Sequence, residues 1–304
     1  MQPAVFRFAP SPNGHLHLGH ALSAWLNHEA AKGVGGRFLV RVEDIDTARC
    51  TPALIEDMFE DLAWLGLSWE QPVYRQSEHF DAYAQALATL EERGLVYRAY
   101  LTRSEIKRFV AENEAKGMAW PCDPDGAPLY PGDGVVLSED ELAARKAGDA
   151  PYAIRLDMKA ALGTLTEALT WWEGPSEWSK VKDTPSDWYE GEAVTADPAV
   201  WGDVILARKD TPTSYHLSVV VDDAVQGITD VLRGRDLYHA TSVHRLLQHL
   251  LGLKEPRYRH HELVRGLDGR KLSKSDNATS LRFLRASGAA VDEILGNLGT
   301  ALCF

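Results

Sequence analysis

A histidine-rich turn near the N-terminus has the residue types and spacing of a phosphate-binding site. His17 and His20 stand three residues apart, and a pattern typical of a helix begins beside them. A helix start leaves backbone N–H groups unpaired and carries partial positive charge, so phosphates bind there readily. Residues three apart share a helix face, and Gly19 would let a nucleotide approach the backbone closely. We therefore predict a nucleotide pocket at this turn.

A lysine and serine segment near the other end of the chain has related chemistry. Lys271 and Lys274 are three residues apart, Ser275 follows them, and Gly266 and Gly269 precede them. This composition suits a mobile loop that closes positive charge over a triphosphate. Each segment has an ordinary alternative, a capping histidine in the first and a solvent-exposed loop in the second. Their occurrence together on one chain favours nucleotide chemistry.

The residues around these segments predict alternating strands and helices. Val5 to Ala9 has the pattern of a strand, and the helix after it should end at Gly33. Arg37 to Glu43 alternates as a strand does, which places Glu43 near the strand's carboxyl end, where open α/β sheets bind ligands. Further predicted elements are helices over Pro52–Leu65 and His79–Arg93, strands over Val204–Arg208 and Leu217–Val221, and helices over Tyr238–Leu251 and after Ala278.

The regular pattern weakens in the middle of the chain. Ala119 to Gly134 contains four prolines and three glycines, which is typical of a loop. We predict a first half of a catalytic domain over residues 1–96, an inserted subdomain over 97–200, and a second half over 201–304 that contains the lysine loop and C-terminal helices. Five tryptophans lie between Trp171 and Trp201, and ordinary packing is favoured for them over stacking on bases.

Composition excludes several classes of protein. The net charge of −12 argues against a general polyanion binder, although eight basic residues against three acids between Arg257 and Arg285 predict a local phosphate-facing patch. No apolar run is long enough to span a membrane, and no secretory signal is apparent, so a cytoplasmic protein is predicted. Cys50, Cys122 and Cys303 lie far apart and form no zinc-binding pattern.

The two motifs, His17–His20 (HLGH) and Lys271–Ser275 (KLSKS), resemble the two signature motifs of the class I aminoacyl-tRNA synthetases. The resemblance implies an α/β, Rossmann-like class I synthetase catalytic domain with an inserted subdomain and a short C-terminal helical segment. It extends over nearly the whole chain, and the segments that resemble the glutamyl-tRNA synthetases in particular are Arg7–Gly19, Arg41–Asp46, Tyr215–Asp223 and Val231–Asp236.

Glutamyl-tRNA synthetases continue into an anticodon-binding domain, and no such domain is expected in this chain, whose sequence ends at Phe304. In this it is similar to the glutamyl-Q tRNA(Asp) synthetase family, which attaches glutamate to the queuosine base of tRNA(Asp). The resemblance therefore implies a ligase that uses L-glutamate, ATP, Mg²⁺ and queuosine-containing tRNA(Asp). A monomer without membrane contact is expected.

The resemblance also implies roles for particular residues. Arginines pair with carboxylates through two parallel hydrogen bonds, and Glu43 can pair with an α-ammonium group. The implied glutamate-binding residues are Arg7, Ala9, Ser11, Glu43, Tyr215 and Arg233; the ATP-binding residues are His17, Gly19, His20, Lys274 and Ser275; and the catalytic residues are His17, His20, Lys271 and Lys274.

The sequence departs from the family's pattern at two places. Val219 stands where glutamyl-tRNA synthetases carry an asparagine, which implies altered contacts to glutamate. Many relatives bind zinc through a Cys-x-Cys pair, but the matching positions are Ala99 and Leu101, which cannot ligate a metal. Zinc is therefore predicted to be absent.

Of three alternatives, two remain open, and the full set of glutamate-pocket residues excludes the third, the small nucleotidyltransferase. A truncated synthetase could charge tRNA(Glu), and label transfer to that tRNA would identify it. A small nucleotidyltransferase could share the histidine motif, but it would show pyrophosphate exchange with a phosphorylated metabolite. A non-catalytic paralogue that binds a tRNA or a synthetase would fail to bind ATP.

Overall fold

The architecture rests on a mostly parallel sheet packed by helices. The computed structural model describes residues 3–176, 187–264 and 280–300. Its strands are β1 (Val5–Phe8), β2 (Arg37–Val42), β3 (Tyr74–Arg75), β4 (Val96–Ala99), β5 (Ala153–Leu156), β6 (Thr170–Glu173), β7 (Glu192–Thr195), β8 (Ile205–Arg208), β9 (Asp230–Gly234) and β10 (Arg257–His261). Its helices are α1 (Leu18–Gly33), α2 (Pro52–Trp64), α3 (Phe80–Glu92), α4 (Arg103–Ala115), α5 (Asp133–Val136), α6 (Glu139–Ala147), α7 (Met158–Gly163), α8 (Tyr215–Val225), α9 (Ala240–Leu251), α10 (Leu281–Ala286) and α11 (Val291–Thr300).

The large sheet has the strand order β3-β2-β1-β9-β10-β6-β7. Its neighbours are parallel except for β6 and β7, which are antiparallel. Parallel strands need a crossover between them, and α1 provides it between β1 and β2. The return from α1 to β2 requires a glycine, because a Cβ on Gly36 would lie 2.5 Å from the carbonyl oxygen of Ala4. The chain enters β2 directly beside β1.

A smaller antiparallel sheet contains β4, β5 and β8. It packs with α3, α8 and α9 around a second hydrophobic core that includes Tyr83, Leu156, Leu206 and Leu247. The strands between residues 97 and 200 are divided between the two sheets, because β6 and β7 extend the large one. The boundaries of the three predicted parts remain a prediction.

One predicted strand was wrong. Leu217–Val221 lies within helix α8, and every residue from Leu217 to Asp223 is buried. A short run of β-branched residues favours a strand, but a helix enclosed on all sides gives the same apolar run. Here α8 packs against α3 and α9, so tertiary contacts override the local preference.

The other predicted elements agree with the structure to within a few residues at their ends. Trp171, Trp188 and Trp201 are buried, as predicted for packing residues, whereas Trp172 is partly exposed. In the part of the chain that the structure describes, no helix combines the length and the apolar character that a membrane span needs.

Candidate active site

A cavity of about 660 Å³ opens at the carboxyl ends of β1, β2 and β9. This is the edge at which open α/β sheets bind ligands. Nine residues with predicted roles line it: Arg7, Ala9, Ser11, His17, Gly19, His20, Glu43, Tyr215 and Arg233. The other three, Lys271, Lys274 and Ser275, lie outside the described residues.

The described residues on either side of the lysine motif line the cavity or pair with its lining. Val264, the last described residue before the motif, lines the cavity wall. Ser280, the first described residue after it, forms an isolated antiparallel bridge with His17. The Leu281 backbone N–H donates to the carbonyl oxygen of Leu16 at 2.8 Å. The segment that contains the lysine motif is therefore followed directly by residues that pair with the histidine turn.

The two histidines of the turn lie against each other at the start of α1. Their ring centroids are 3.9 Å apart. The Gly19 N–H donates to Nδ1 of His17, and the His17 N–H donates to Nδ1 of His20, both at 3.1 Å. Because each Nδ1 accepts a hydrogen bond, each neutral ring carries its proton on Nε2. A Cβ on Gly19 would lie 3.0 Å from the His17 ring, so this arrangement favours glycine.

A buried ion-pair network adjoins the cavity. Arg7 donates from Nε and Nη2 to the two carboxylate oxygens of Asp223, at 3.1 and 3.3 Å. Arg41, which is fully buried, donates to Asp223 at 2.8 Å and to Glu43 at 3.1 Å, and its Nε lies 3.8 Å from Asp222. We call these five residues the Arg41 cluster. It contains three carboxyl groups and two guanidinium groups.

Glu43, like Arg7, belongs to the Arg41 cluster, has a predicted role and lines the cavity. Burial raises the pKa of its carboxyl group, although Arg41 and Arg7 act in the opposite direction. A carboxylate in this state is stabilised by a further positive charge at close range. The surplus of carboxyl groups in the cluster makes this side of the cavity suited to a cationic group such as an ammonium.

Arg233 has a different environment. Its side chain is buried, and it donates to five neutral acceptors: His260 Nε2 at 3.1 Å, His244 Nδ1 at 3.2 Å, the Tyr215 hydroxyl at 3.3 Å, Thr241 Oγ1 at 2.8 Å and the Leu237 carbonyl oxygen at 3.1 Å. No carboxylate among the described residues forms an ion pair with it, whereas Arg7 and Arg41 both have such partners. A buried charge without a counter-charge is costly, so this position favours an anionic ligand.

Tyr215 lines the cavity beside Arg233. Its hydroxyl oxygen accepts from Arg233 Nη1, so the hydroxyl hydrogen can be donated to a ligand oxygen. Burial raises the pKa of this tyrosine, which keeps it protonated at neutral pH. Arg233 and Tyr215 together therefore offer positive charge and a hydrogen-bond donor to a carboxylate.

Comparison with known proteins identifies the family of this chain. The chain matches the family model of the class I tRNA synthetases (E and Q), catalytic domain, over residues 4–173 and 176–295. This chain belongs to that family. The glutamyl-Q tRNA(Asp) synthetase of Rhodobacter capsulatus is 44% identical over 97% of this chain and 99% of its own length. That of Symbiobacterium thermophilum is 35% identical over 96% of this chain and 84% of its own length. The predicted resemblance to this group and the predicted ligase class are confirmed.

A solved structure supports the same assignment of fold. The crystal structure of a glutamate tRNA ligase from Elizabethkingia meningosepticum, in complex with its amino acid, has a TM-score of 0.67 and 28% sequence identity. The match covers 90% of this chain and 52% of that ligase, so the class I synthetase described here spans about half of that chain's length. The predicted α/β class I catalytic fold is confirmed.

Several residues that contact the lining of the synthetase's cavity had no predicted role. His244 and His260 contact Arg233, and Asp223 pairs with Arg7. A signal for His244 was present, because it lies in the apolar stripe of α9 between Val243 and Leu247, where all three are buried. A polar residue at a core position commonly has a specific partner.

The synthetase departs from the family pattern at two places, Val219 and the positions of a zinc-binding pair. Val219 is buried in the core around α8 and is not among the residues that line the cavity. Altered glutamate contacts at this position therefore stay a prediction. Cys122 is exposed, Cys50 is buried, and no group of three potential metal ligands occurs within the described ranges. The absence of zinc also stays a prediction.

The synthetase should lose stability as the pH falls below 6.5, in part because of His216. Burial and the nearby Arg233 lower the pKa of His216 from 6.5 to about 4. Its folded-state pKa is depressed, so its contribution is complete above pH 6.5 and is lost as the pH falls towards 4. When the pH is lowered from 7 to 5, the free energy of unfolding should fall in both proteins. We expect this fall to be about 2 kcal/mol smaller in the His216→Asn variant than in the wild type.

Urea unfolding at the two pH values measures this difference. The comparison with the variant is needed because burial raises the pKa of Asp61 to about 6, which acts in the opposite direction over the same range. Equal losses of stability in the wild type and the variant would contradict the assignment to His216.

Proposed function

We propose that this chain activates L-glutamate with ATP and transfers it to the queuosine base of tRNA(Asp). The observation that carries this proposal is the separation of charge across the cavity. Arg233 has no anionic partner among the described residues, while Glu43 belongs to a cluster with a surplus of carboxyl groups. An amino acid with a side-chain carboxylate matches both sides, because its carboxylate suits Arg233 and its ammonium group suits the Arg41 cluster. The name and full-length similarity of the Rhodobacter capsulatus relative support the same substrate and acceptor.

In this proposal the amino acid has one orientation. Its ammonium group lies against Glu43, and its side-chain carboxylate receives the Tyr215 hydrogen bond and the charge of Arg233. Arg7 also contributes positive charge to the cavity, although two of its nitrogens are already paired with Asp223. The α-carboxylate is left facing the histidine turn.

The first chemical step joins glutamate to the nucleotide. The α-carboxylate attacks the α-phosphorus of ATP, the new carboxyl–phosphorus bond forms, and pyrophosphate leaves. The nucleophile is already ionised, so no general base is needed. Catalysis is then mainly alignment and charge stabilisation. His17 and His20 donate from Nε2 to phosphate oxygens in this scheme. Lys271 and Lys274 are assigned to the leaving group on sequence alone.

Mg²⁺ has no ready-made site of three carboxylates among the described residues. This fits the usual behaviour of the ion, which binds largely through substrate phosphates and water. When bound, it would neutralise phosphate charge. We propose from the sequence that the reaction needs Mg²⁺. A cytoplasmic location and a monomeric state are likewise proposals from the sequence.

The second step needs access for a nucleoside hydroxyl. A hydroxyl of queuosine's cyclopentene ring attacks the carbonyl carbon of the adenylate, an ester forms, and AMP leaves. A second cavity of about 560 Å³ shares Ser11, Glu43 and Tyr215 with the first. Its lining also includes Arg155 and Asp203, from the region of the small sheet. An acceptor in this cavity would approach the bound amino acid at the shared residues.

Transfer of radiolabelled glutamate tests the proposal directly. Purified tRNA(Asp) containing queuosine, the same tRNA without queuosine, and tRNA(Glu) are each incubated with the protein, ATP and glutamate. We expect label only on the queuosine-containing tRNA(Asp). Label on tRNA(Glu) would instead identify a synthetase that charges that tRNA, and failure to label any of the three would reject both functions.

A further inference from the structure

The guanidinium group of Arg233 is held by two buried histidines on different elements. His260 lies on β10 and accepts from Arg233 Nε at 3.1 Å, and His244 lies on α9 and accepts from Nη1 at 3.2 Å. Each histidine is only 1% exposed. Thr241 Oγ1 accepts from Nη2 at 2.8 Å, so the guanidinium is fixed on three sides by groups without charge.

The hydrogen bonds define the tautomers of these histidines. An arginine can only donate, so His260 Nε2 and His244 Nδ1 are both acceptors. The proton of His260 is then on Nδ1, which lies 2.9 Å from Glu173 Oε1. The proton of His244 is on Nε2, which lies 3.2 Å from His216 Nδ1. Glu173 and His216 thus orient the two rings so that their lone pairs face Arg233.

The two histidines stay neutral at physiological pH. Burial lowers the pKa of His260 to about 4, although Glu173 acts in the opposite direction. Burial, with Arg233 beside it, lowers the pKa of His244 well below its ordinary value. Protonated rings could not accept from Arg233 and would repel it. The geometry and the protonation state therefore agree.

We propose that His244 and His260 are positioning residues that fix Arg233 through neutral acceptors, so that its charge stays available to select a side-chain carboxylate over a carboxamide. This inference rests on the proposed function, in which the side chain of glutamate meets Arg233. A carboxylate in place of either histidine would hold the guanidinium equally well. It would also pair with its charge, and the preference for glutamate over the uncharged glutamine would fall.

Two pairs of variants that differ in charge but hardly in shape test this inference. Asparagine at position 244 keeps an oxygen or nitrogen near the place of Nδ1, and aspartate puts a carboxylate there. His244→Asp is compared with His244→Asn by amino-acid-dependent exchange between pyrophosphate and ATP. We expect the KM for glutamate to be at least about 10-fold higher in the aspartate variant, with the KM for ATP equal within about twofold. The ratio of glutamate to glutamine activation should fall by a similar factor.

Thr241→Asp and Thr241→Asn form the second pair and serve if the first does not fold, as judged by thermal unfolding. Thr241 is fully buried and contacts the opposite side of the guanidinium, so the same result is expected. Equal KM values for glutamate within each folded pair, or an equal rise in the KM for ATP, would overturn the inference while the wild type still activates glutamate. Failure of the wild type to show any glutamate-dependent exchange would instead overturn the proposed function and this inference with it.

Discussion

Replacing Arg233 with leucine is expected to lower kcat/KM for glutamate activation by about 10³-fold, equivalent to about 4 kcal/mol of binding energy. Arg233 is 4% exposed and has no carboxylate partner among the described residues, so the proposed substrate provides its counter-charge. Leucine removes that charge and leaves the substrate carboxylate desolvated beside His244 and His260. Pyrophosphate exchange at varied glutamate concentrations measures the effect.

The matched control is Arg37→Leu in the same sheet. Arg37 pairs with Glu70 at 2.6 Å, but both side chains are more than 40% exposed, and exposed pairs contribute little. We expect this variant to retain activity within about twofold of the wild type. A loss of less than tenfold in Arg233→Leu, in protein that unfolds at the normal temperature, would exclude Arg233 from the substrate site.

The Lys274→Ala variant should lose about 10²-fold or more in the rate of adenylate formation while its folding survives. The reason is the charge that develops on the pyrophosphate as it leaves, which a fixed ammonium group stabilises. Val264 lines the cavity and Ser280 pairs with His17 of the cavity lining, which supports the proposed role. The Lys271→Ala variant is expected to have a smaller effect in the same direction.

Single-turnover formation of the adenylate distinguishes this effect from slow product release. Lys254→Ala is a suitable control, because Lys254 is an exposed lysine elsewhere on the surface. Thermal unfolding shows whether each variant is folded. Near-normal exchange in folded Lys274→Ala would refute the assignment of Lys274 to the reaction.

The sequence predicted the part of the site that local patterns determine. The alternation in β2 placed Glu43 near the carboxyl end of a strand, and the structure puts it one residue past the strand, on the cavity wall. The histidine spacing at the start of α1 likewise predicted two adjacent rings. These features depend on residues close together in the chain, for which strand and helix periodicity is informative.

Features that depend on distant residues were not predictable in this way. The acceptors of Arg233 come from α8, α9 and β10, and no local pattern shows that these elements meet. The basic patch predicted near the C-terminus stays a prediction, because four of its eight members lie outside the described residues. Among its described members, Arg257 pairs with Asp230, Arg282 pairs with Asp57, and Arg285 pairs with Asp61. Sequence charge density alone does not show which charges are neutralised by partners on other helices and strands.

The backbone pairing between Leu16 and Leu281 determines the effective concentration of the KLSKS lysines at bound phosphates. The residues that follow the lysine motif pair with the histidine turn, so in the proposed reaction its lysines meet bound phosphates as an intramolecular event. Their effective concentration is set by the length of a short tether and is of millimolar order or above. A soluble amine added to Lys274→Ala would therefore need a comparable concentration to restore the lost rate.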